Sequence, residues 1–125
     1  MRVLIDTNVL LRWYWSSKAL SAAARAMLEE ATNEIVVSVV SIYEIGNKTR
    51  LGKLIVGMAE IELAAEDDGF SFLAIACNHA RRAAMLPWEH RDPWDRLIAA
   101  QAMEEGLPLI STDMAFDSAG VERIW

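Results

Sequence analysis

Only one cysteine, Cys77, stands in the 125-residue sequence. A lone thiol closes no internal disulfide, and it does not combine with His79 and His90 into a zinc-type spacing. Cys77 lies in an apolar stretch and is expected as a buried small hydrophobe, in keeping with a reducing, cytoplasmic setting. Long apolar runs are missing. None approaches the ~20 residues a membrane-crossing helix needs. Strand-like sequence begins at Arg2, so no cleavable leader is expected. Repeats, low-complexity tracts and linkers are absent too, which points to a single domain over residues 1–125. Finally, there is no excess of basic residues. Twelve Lys and Arg against 18 Asp and Glu leave a formal charge of −6. A general nucleic-acid coat protein is basic, so any nucleic-acid role here must draw its affinity from something other than net charge.

What the chain has is apolar patterning. It is 54% hydrophobic and 24% charged, enough to bury a core and unlike a disordered chain. Arg2–Ile5 reads as a short buried strand ending at Asp6. Helices are expected at Asn8–Trp15 and, behind a Ser21 cap, at Ala22–Thr32. Glu34–Val40 reads as a second strand, and Ser41 starts a helix through Leu51 that Gly52 stops. A helix over Met58–Asp68 leads to a third strand, Phe70–Ala76, and a helix over Cys77–Met85. Asp92-Pro93 opens a helix to Glu105, followed by a strand at Leu107–Ile110, a short helix at Met114–Phe116 and a fifth strand at Val121–Trp125. Such alternation implies a three-layer α/β/α domain with a mostly parallel sheet of about five strands. Functional groups in such sheets collect beyond the carboxyl ends of the strands.

Four acids answer that description: Asp6 after strand one, Glu44 in the first turn after strand two, Asp113 after strand four, and Asp95 in the first turn of the helix before it. Taken singly, each is as well explained as a cap. Ser41 to Glu44 has capping-box spacing, Asp92 suits an N-cap with Pro93 at N1 and Asp95 at N3, and acids favour helix N-termini generally. Taken together, a parallel sheet delivers Asp6, Glu44 and Asp113 to one edge, and Asp95 joins them if its helix starts there. Carboxylates so crowded repel, and a divalent cation removes that cost. All four offer oxygen, which suits Mg²⁺ or Mn²⁺.

At these residues the sequence resembles the PIN-domain family, and within it the VapC-type toxin ribonucleases of VapBC toxin–antitoxin pairs. The resemblance rests on LIDTNVLL (Leu4–Leu11), VSVVSIYEIGNKTRLGKL (Val37–Leu54), LPWEHRDPWDRLIAAQAMEEGLPLISTD (Leu86–Asp113) and VERIW (Val121–Trp125), in that order. DTN alone is a weak motif; the ordered set is specific. It implies a Mg²⁺- or Mn²⁺-dependent endoribonuclease with no organic cofactor, whose acidic metal site is Asp6, Glu44, Asp95 and Asp113. Asn8 then matches a polar supporter of the first aspartate. Ser41 and Ser111 match hydroxyl positions near the site, and Asp92 an aspartate that supports or caps. Asp6 and Asp95 stand as direct ligands, Glu44 as a ligand or an orienter of water, and Asp113 as a holder of a second ion or a group acting through water. The partners implied are RNA, a VapB-type antitoxin and a second copy of the chain, with no membrane. Two divalent ions in the site would bring the formal charge from −6 to −2.

Phosphate contacts would then come from local cations: Lys48, Arg50 and Lys53 in an acid-free stretch, and Arg96 beside Asp95. The plainer reading pairs Lys48 with Glu44 four residues earlier and leaves Arg50 and Lys53 as a solvated helix end. His79 and His90 read as structural, and the five tryptophans as core and interface. The Trp13-Tyr14-Trp15 run carries no assigned role. Dehalogenase-type phosphotransfer wants a second Asp where Asn8 stands, and a receiver domain wants a phosphoacceptor where strand three leads to Ala76-Cys77-Asn78. The remaining rival is a non-catalytic interaction module of the same architecture whose acids serve as helix caps.

Overall fold

A computed structural model describes all 125 residues. The strands are β1 (Arg2–Ile5), β2 (Glu34–Ser38), β3 (Ser71–Leu73), β4 (Leu109–Ile110) and β5 (Arg123–Ile124). The helices are α1 (Thr7–Trp15), α2 (Ala22–Glu29), α3 (Val39–Arg50), α4 (Met58–Asp67), α5 (Cys77–Met85), α6 (Pro93–Glu105) and α7 (Ala115–Ala119). All strand pairs are parallel, in the order β3-β2-β1-β4-β5. The chain runs outward from β1 through β2 to β3 and returns to lay β4 against the other side of β1. The order therefore reverses at the β1–β4 boundary, where α/β sheets open their crevice.

Two-residue periodicity builds the layers. Val3, Ile5, Ile35, Val37 and Ile110 face one side and pack with Val9 and Leu10 of α1, Ala24 and Leu28 of α2, Ile45 of α3 and Ile61 of α4. Leu4, Val36 and Leu109 face the other and pack with Ile98, Ala99 and Ala102 of α6 and Phe116 of α7. The alanines let α6 approach the sheet closely. Its end is set by Gly106, whose φ of 64° lies in the left-handed region, and Leu107 N–H donates back to Ala102 O at 2.9 Å.

Several boundaries differ from the sequence expectation. β2 stops at Ser38, because the Ser38 hydroxyl accepts from Val40 N–H at 3.0 Å and caps α3. Val39 and Val40, strand-like by composition, are thereby helical. Ser41 is consequently not a cap: it is a fully buried residue of the first turn, and Glu44 falls in the second turn. The supposed capping box does not exist. α2 ends at Glu29, where Thr32 turns back onto the Glu30 carboxylate. β3, β4 and β5 keep only the residues that find a parallel partner. Cys77 is exposed as the first residue of α5, so its expected burial is wrong. The Trp13-Tyr14 pair is explained: Trp13 Nε1 and Tyr14 OH both donate to Asp68 Oδ2, at 3.2 and 2.8 Å, tying α1 to the end of α4. No helix is long and apolar enough to cross a membrane.

Candidate metal centre at the carboxyl edge of the sheet

Ile5 pairs with Val37 on one side and Ile110 on the other. The next residue on each strand, Asp6, Ser38 and Ser111, therefore emerges at one level. Asp6 is buried, 5% exposed, and caps α1 with Oδ1 accepting from Val9 N–H at 2.8 Å. Burial pushes its carboxyl up to about 6; hydrogen bonds from Ser111 and Val9 oppose that, and the charges of Asp95 and Glu44 add to it.

Glu44 reaches the same place from the second turn of α3. Thr7 hydroxyl donates to Glu44 Oε1 at 2.8 Å and stands 2.9 Å from the Ser41 hydroxyl. A hydroxyl has one proton, so Thr7 donates to the carboxylate and accepts from Ser41. Lys48 Nζ sits 2.7 Å from the other oxygen, Oε2. Asp95 comes from the first turn of α6, whose N-cap Asp92 accepts from Trp94 and Asp95 N–H. The Asp95 carboxyl is also raised, by burial first, against the hydrogen bond from His90 and with the charges of Asp92 and Glu44. His90 Nε2 lies 2.7 Å from Asp95 Oδ2. One ligand atom each of His90, Asp95 and Asp113 falls within 4.8 Å of the others. Ser111 stands by both ends of the site: its hydroxyl lowers the Asp6 carboxyl against the effect of burial and accepts from Asp113 N–H at 3.0 Å.

His90, Asp95 and Asp113 thus close to within 4.8 Å of one another, whereas Asp6, Glu44 and Asp95 act on one another as neighbouring charges without closing to that distance as a trio. Two of the sequence candidates lie apart from this arrangement. Asn8 is exposed on α1 and makes no hydrogen bond to Asp6; Thr7 and Ser111 supply the polar support instead. Asp92 is an exposed cap. Arg96 is corrected as an RNA contact. Its guanidinium donates to four backbone carbonyls, Ala83, Leu86, Trp88 and His90, which commits its fork to holding the loop between α5 and α6. Arg96→Met is expected to lower unfolding stability in urea by on the order of 3 kcal/mol, because buried carbonyls lose a charged donor. A variant with full stability and weakened RNA affinity would restore the phosphate role. Lys48 is the partner of Glu44, Arg50 Nη2 donates to Asn47 at 2.6 Å, and Lys53 is exposed with no carboxylate partner.

Thr7, Ser38 and Gln101 are polar residues without a place in the sequence reading, and His90, read there as structural, reaches Asp95. Thr7 sat inside the DTN motif and was legible there. Ser38 and Gln101 form a fully buried pair, Ser38 hydroxyl to Gln101 Oε1, with Gln101 Nε2 donating to Ala74 O at 3.3 Å; they are 63 positions apart and no local pattern links them. His79 is structural as expected: 1% exposed, accepting from Ala76 N–H at 2.9 Å and meeting Glu105 at 2.8 Å.

The donor set fits a divalent cation. Carboxylates from separate segments repel one another, and within the Asp6–Glu44–Asp95 group the one ion-paired lysine, Lys48, neutralises one charge. Oxygens of this kind match Mg²⁺ or Mn²⁺, and one imidazole lies among them. Pure capping leaves much unexplained. Glu44 caps nothing, and a cap needs one carboxylate oxygen without the burial that raises Asp6.

The PIN domain family model matches residues 3–122. No curated protein matches the sequence. Among solved structures the chain is similar to VapBC2 from Rickettsia felis bound to a promoter DNA fragment, at 15% identity and a TM-score of 0.73, over 99% of this chain and 98% of that one. A toxin–antitoxin complex from Klebsiella pneumoniae is similar at 18% identity and 0.70, over 98% and 96%. FitAcB from Neisseria gonorrhoeae follows at 20% identity and 0.66, over 100% and 97%. At these identities the likeness is one of fold.

Proposed function

Because the chain belongs to the PIN-domain family, we propose that it is a metal-dependent endoribonuclease, the toxin of a toxin–antitoxin pair. The observation that carries this reading is the meeting of Asp95, Asp113 and His90 within 4.8 Å, with Asp6 raised by burial and by the charges of Asp95 and Glu44.

In this reading Asp6 and Asp95 hold a divalent cation, and Glu44 and Asp113 complete its surroundings. Such an ion, when bound, acidifies water and draws charge from phosphoryl oxygens. The chain's own groups orient the site. Val9 N–H fixes the Asp6 carboxylate, and the Ser111 hydroxyl favours its charged form. Thr7, itself held by Ser41, sets the rotation of Glu44. Asp92 sets the first turn of α6 and so the direction of Asp95. Lys48 is the cation nearest to hand for a phosphate, with Arg50 and Lys53 further along the same helix end. The acidic net charge is compatible with RNA because the ions offset the carboxylates that face it.

The partners follow from the same reading. Similarity to structures described as toxin–antitoxin complexes supports an antitoxin of the VapB type, and a second copy of the chain is proposed beside it. Exposed Trp15, Leu51, Ile55 and Met58 supply apolar surface for such contacts.

The purified chain is expected to cut single-stranded or structured RNA with Mg²⁺ or Mn²⁺ and to stop when EDTA is added. RNA left intact by a folded, metal-binding preparation would remove the nuclease reading and leave the interaction module, in which Asp6 and Asp92 act as helix caps.

A further inference from the structure

His90 lies outside the set of four acids, yet its imidazole is inside their pocket. Its Nε2 is 2.7 Å from Asp95 Oδ2, and one ligand atom each of His90, Asp95 and Asp113 lies within 4.8 Å of the others. Donors sharing one ion at about 2.0–2.3 Å sit roughly 3–4.5 Å from one another, so these three need only small adjustments to share a cation. The ring is also held in advance. It stacks on Trp88 with centroids 4.6 Å apart and planes at 21°, and Arg96 Nη1 donates to the His90 carbonyl at 3.1 Å. Trp88 is braced in turn by Phe116 and by a hydrogen bond to Ser118. A histidine serving only to fill space needs neither an anchored loop nor an aim at two carboxylates.

We propose that His90 is a nitrogen ligand in the Asp95–Asp113 half of the site, and that the site therefore favours Mn²⁺ over Mg²⁺. The proposal rests on the metal-dependent reading above. Magnesium is hard, holds its waters and prefers oxygen, whereas imidazole suits borderline first-row cations. A site of four carboxylates alone would discriminate less between the two. Ligation uses the Nε2 lone pair, so any proton on Nε2 leaves for Nδ1 or solvent when the ion binds.

The rival role is positioning: His90 donates to Asp95 and never touches the ion. Electron spin-echo spectroscopy of Mn²⁺ bound to the full chain separates the two. The proposal expects a ¹⁴N modulation from a directly bound imidazole, converted to the ¹⁵N pattern in protein labelled at histidine and lost in His90→Gln and His90→Ala. Titrations should show the Mn²⁺:Mg²⁺ affinity ratio falling on the order of tenfold in both variants. Bound Mn²⁺ without nitrogen coupling in the wild-type chain overturns the proposal, as does an equal loss of both affinities. Failure of folded wild-type protein to bind Mn²⁺ saturably is a different result: it removes the metal-dependent reading itself and His90's role with it.

Discussion

Asp6→Asn is expected to reduce metal-dependent RNA cleavage roughly 10²–10³-fold while the fold persists. Asparagine has nearly the same shape and caps a helix as well as aspartate does, so its side-chain oxygen retains the bond from Val9 N–H at the start of α1. What disappears is the negative charge that would hold a cation between β1 and β4. The measurement is a cleavage rate at saturating Mn²⁺ beside a circular dichroism spectrum and a urea curve. Asp92→Asn is the matched control. Asp92 is an exposed cap one turn from Asp95, and its variant should stay within a few-fold of the parent. Undiminished cleavage by Asp6→Asn, with contaminating nuclease excluded, would take Asp6 out of the mechanism.

Stability of the metal-free protein is expected to fall by about 2 kcal/mol as pH rises from 4 to 6, on account of Asp6 alone. In the folded chain its carboxyl titrates at about 6, against 3.8 unfolded. Between those values the native state binds the extra proton, so stability is complete below the lower value and is lost as pH climbs through the higher one. Asp95 is raised as well and acts in the same sense. Glu34 is held low by the Ser71 hydroxyl and then by Arg2, and Glu104 and Asp117 by Arg82 and Arg123, so their contribution is lost as pH falls through the usual carboxylate range. With glutamate ordinarily at 4.5, that loss reaches into the lower part of the window, and its upper part, from about 5 to 6, reads the raised pair Asp6 and Asp95. Urea titrations in EDTA across that window should show the decline, and Asp6→Asn should flatten it and be the more stable chain at pH 7. Mn²⁺ at about a hundred times its dissociation constant should restore roughly 2.7 kcal/mol to the parent and much less to the variant. A parent curve that rises with pH through this range would mean that Asp6 is charged and satisfied without a cation.

The positions of Asp6, Asp95 and Asp113 were legible because each adjoins a strand end or a helix start whose pattern is strong. Three-residue apolar runs within Arg2–Ile5 and Glu34–Ser38, helix stops at Gly52 and Gly106, and the Asp92-Pro93 start are all local events, decided by sterics and capping over a few residues. The α3 start was misread for the same kind of reason. Two serines three residues apart, Ser38 and Ser41, offer equal local caps, and Val39-Val40 favours a strand between them. The choice of Ser38 coincides with its buried contact to Gln101, 63 positions away.

His90 and Arg96 show the limit more sharply. One read as a lone structural histidine, the other as a free cation beside the site; their roles depend on how the loop from Leu86 to Asp92 folds back over α6. By itself, then, the amino-acid order determined the alternation of elements, the two-faced apolar strands and hence the three layers with acids at one edge. Those follow from periodicity and short-range sterics. The tertiary structure alone decided which side chains meet: that Thr7 and Ser41 steer Glu44, and that an imidazole stands beside Asp95 and Asp113. Thr7 meets Ser41 and Glu44 across 34 and 37 positions, and even the short-range meeting of His90 with Asp95 depends on how a loop folds back on a helix, a geometry set by the packing of whole elements.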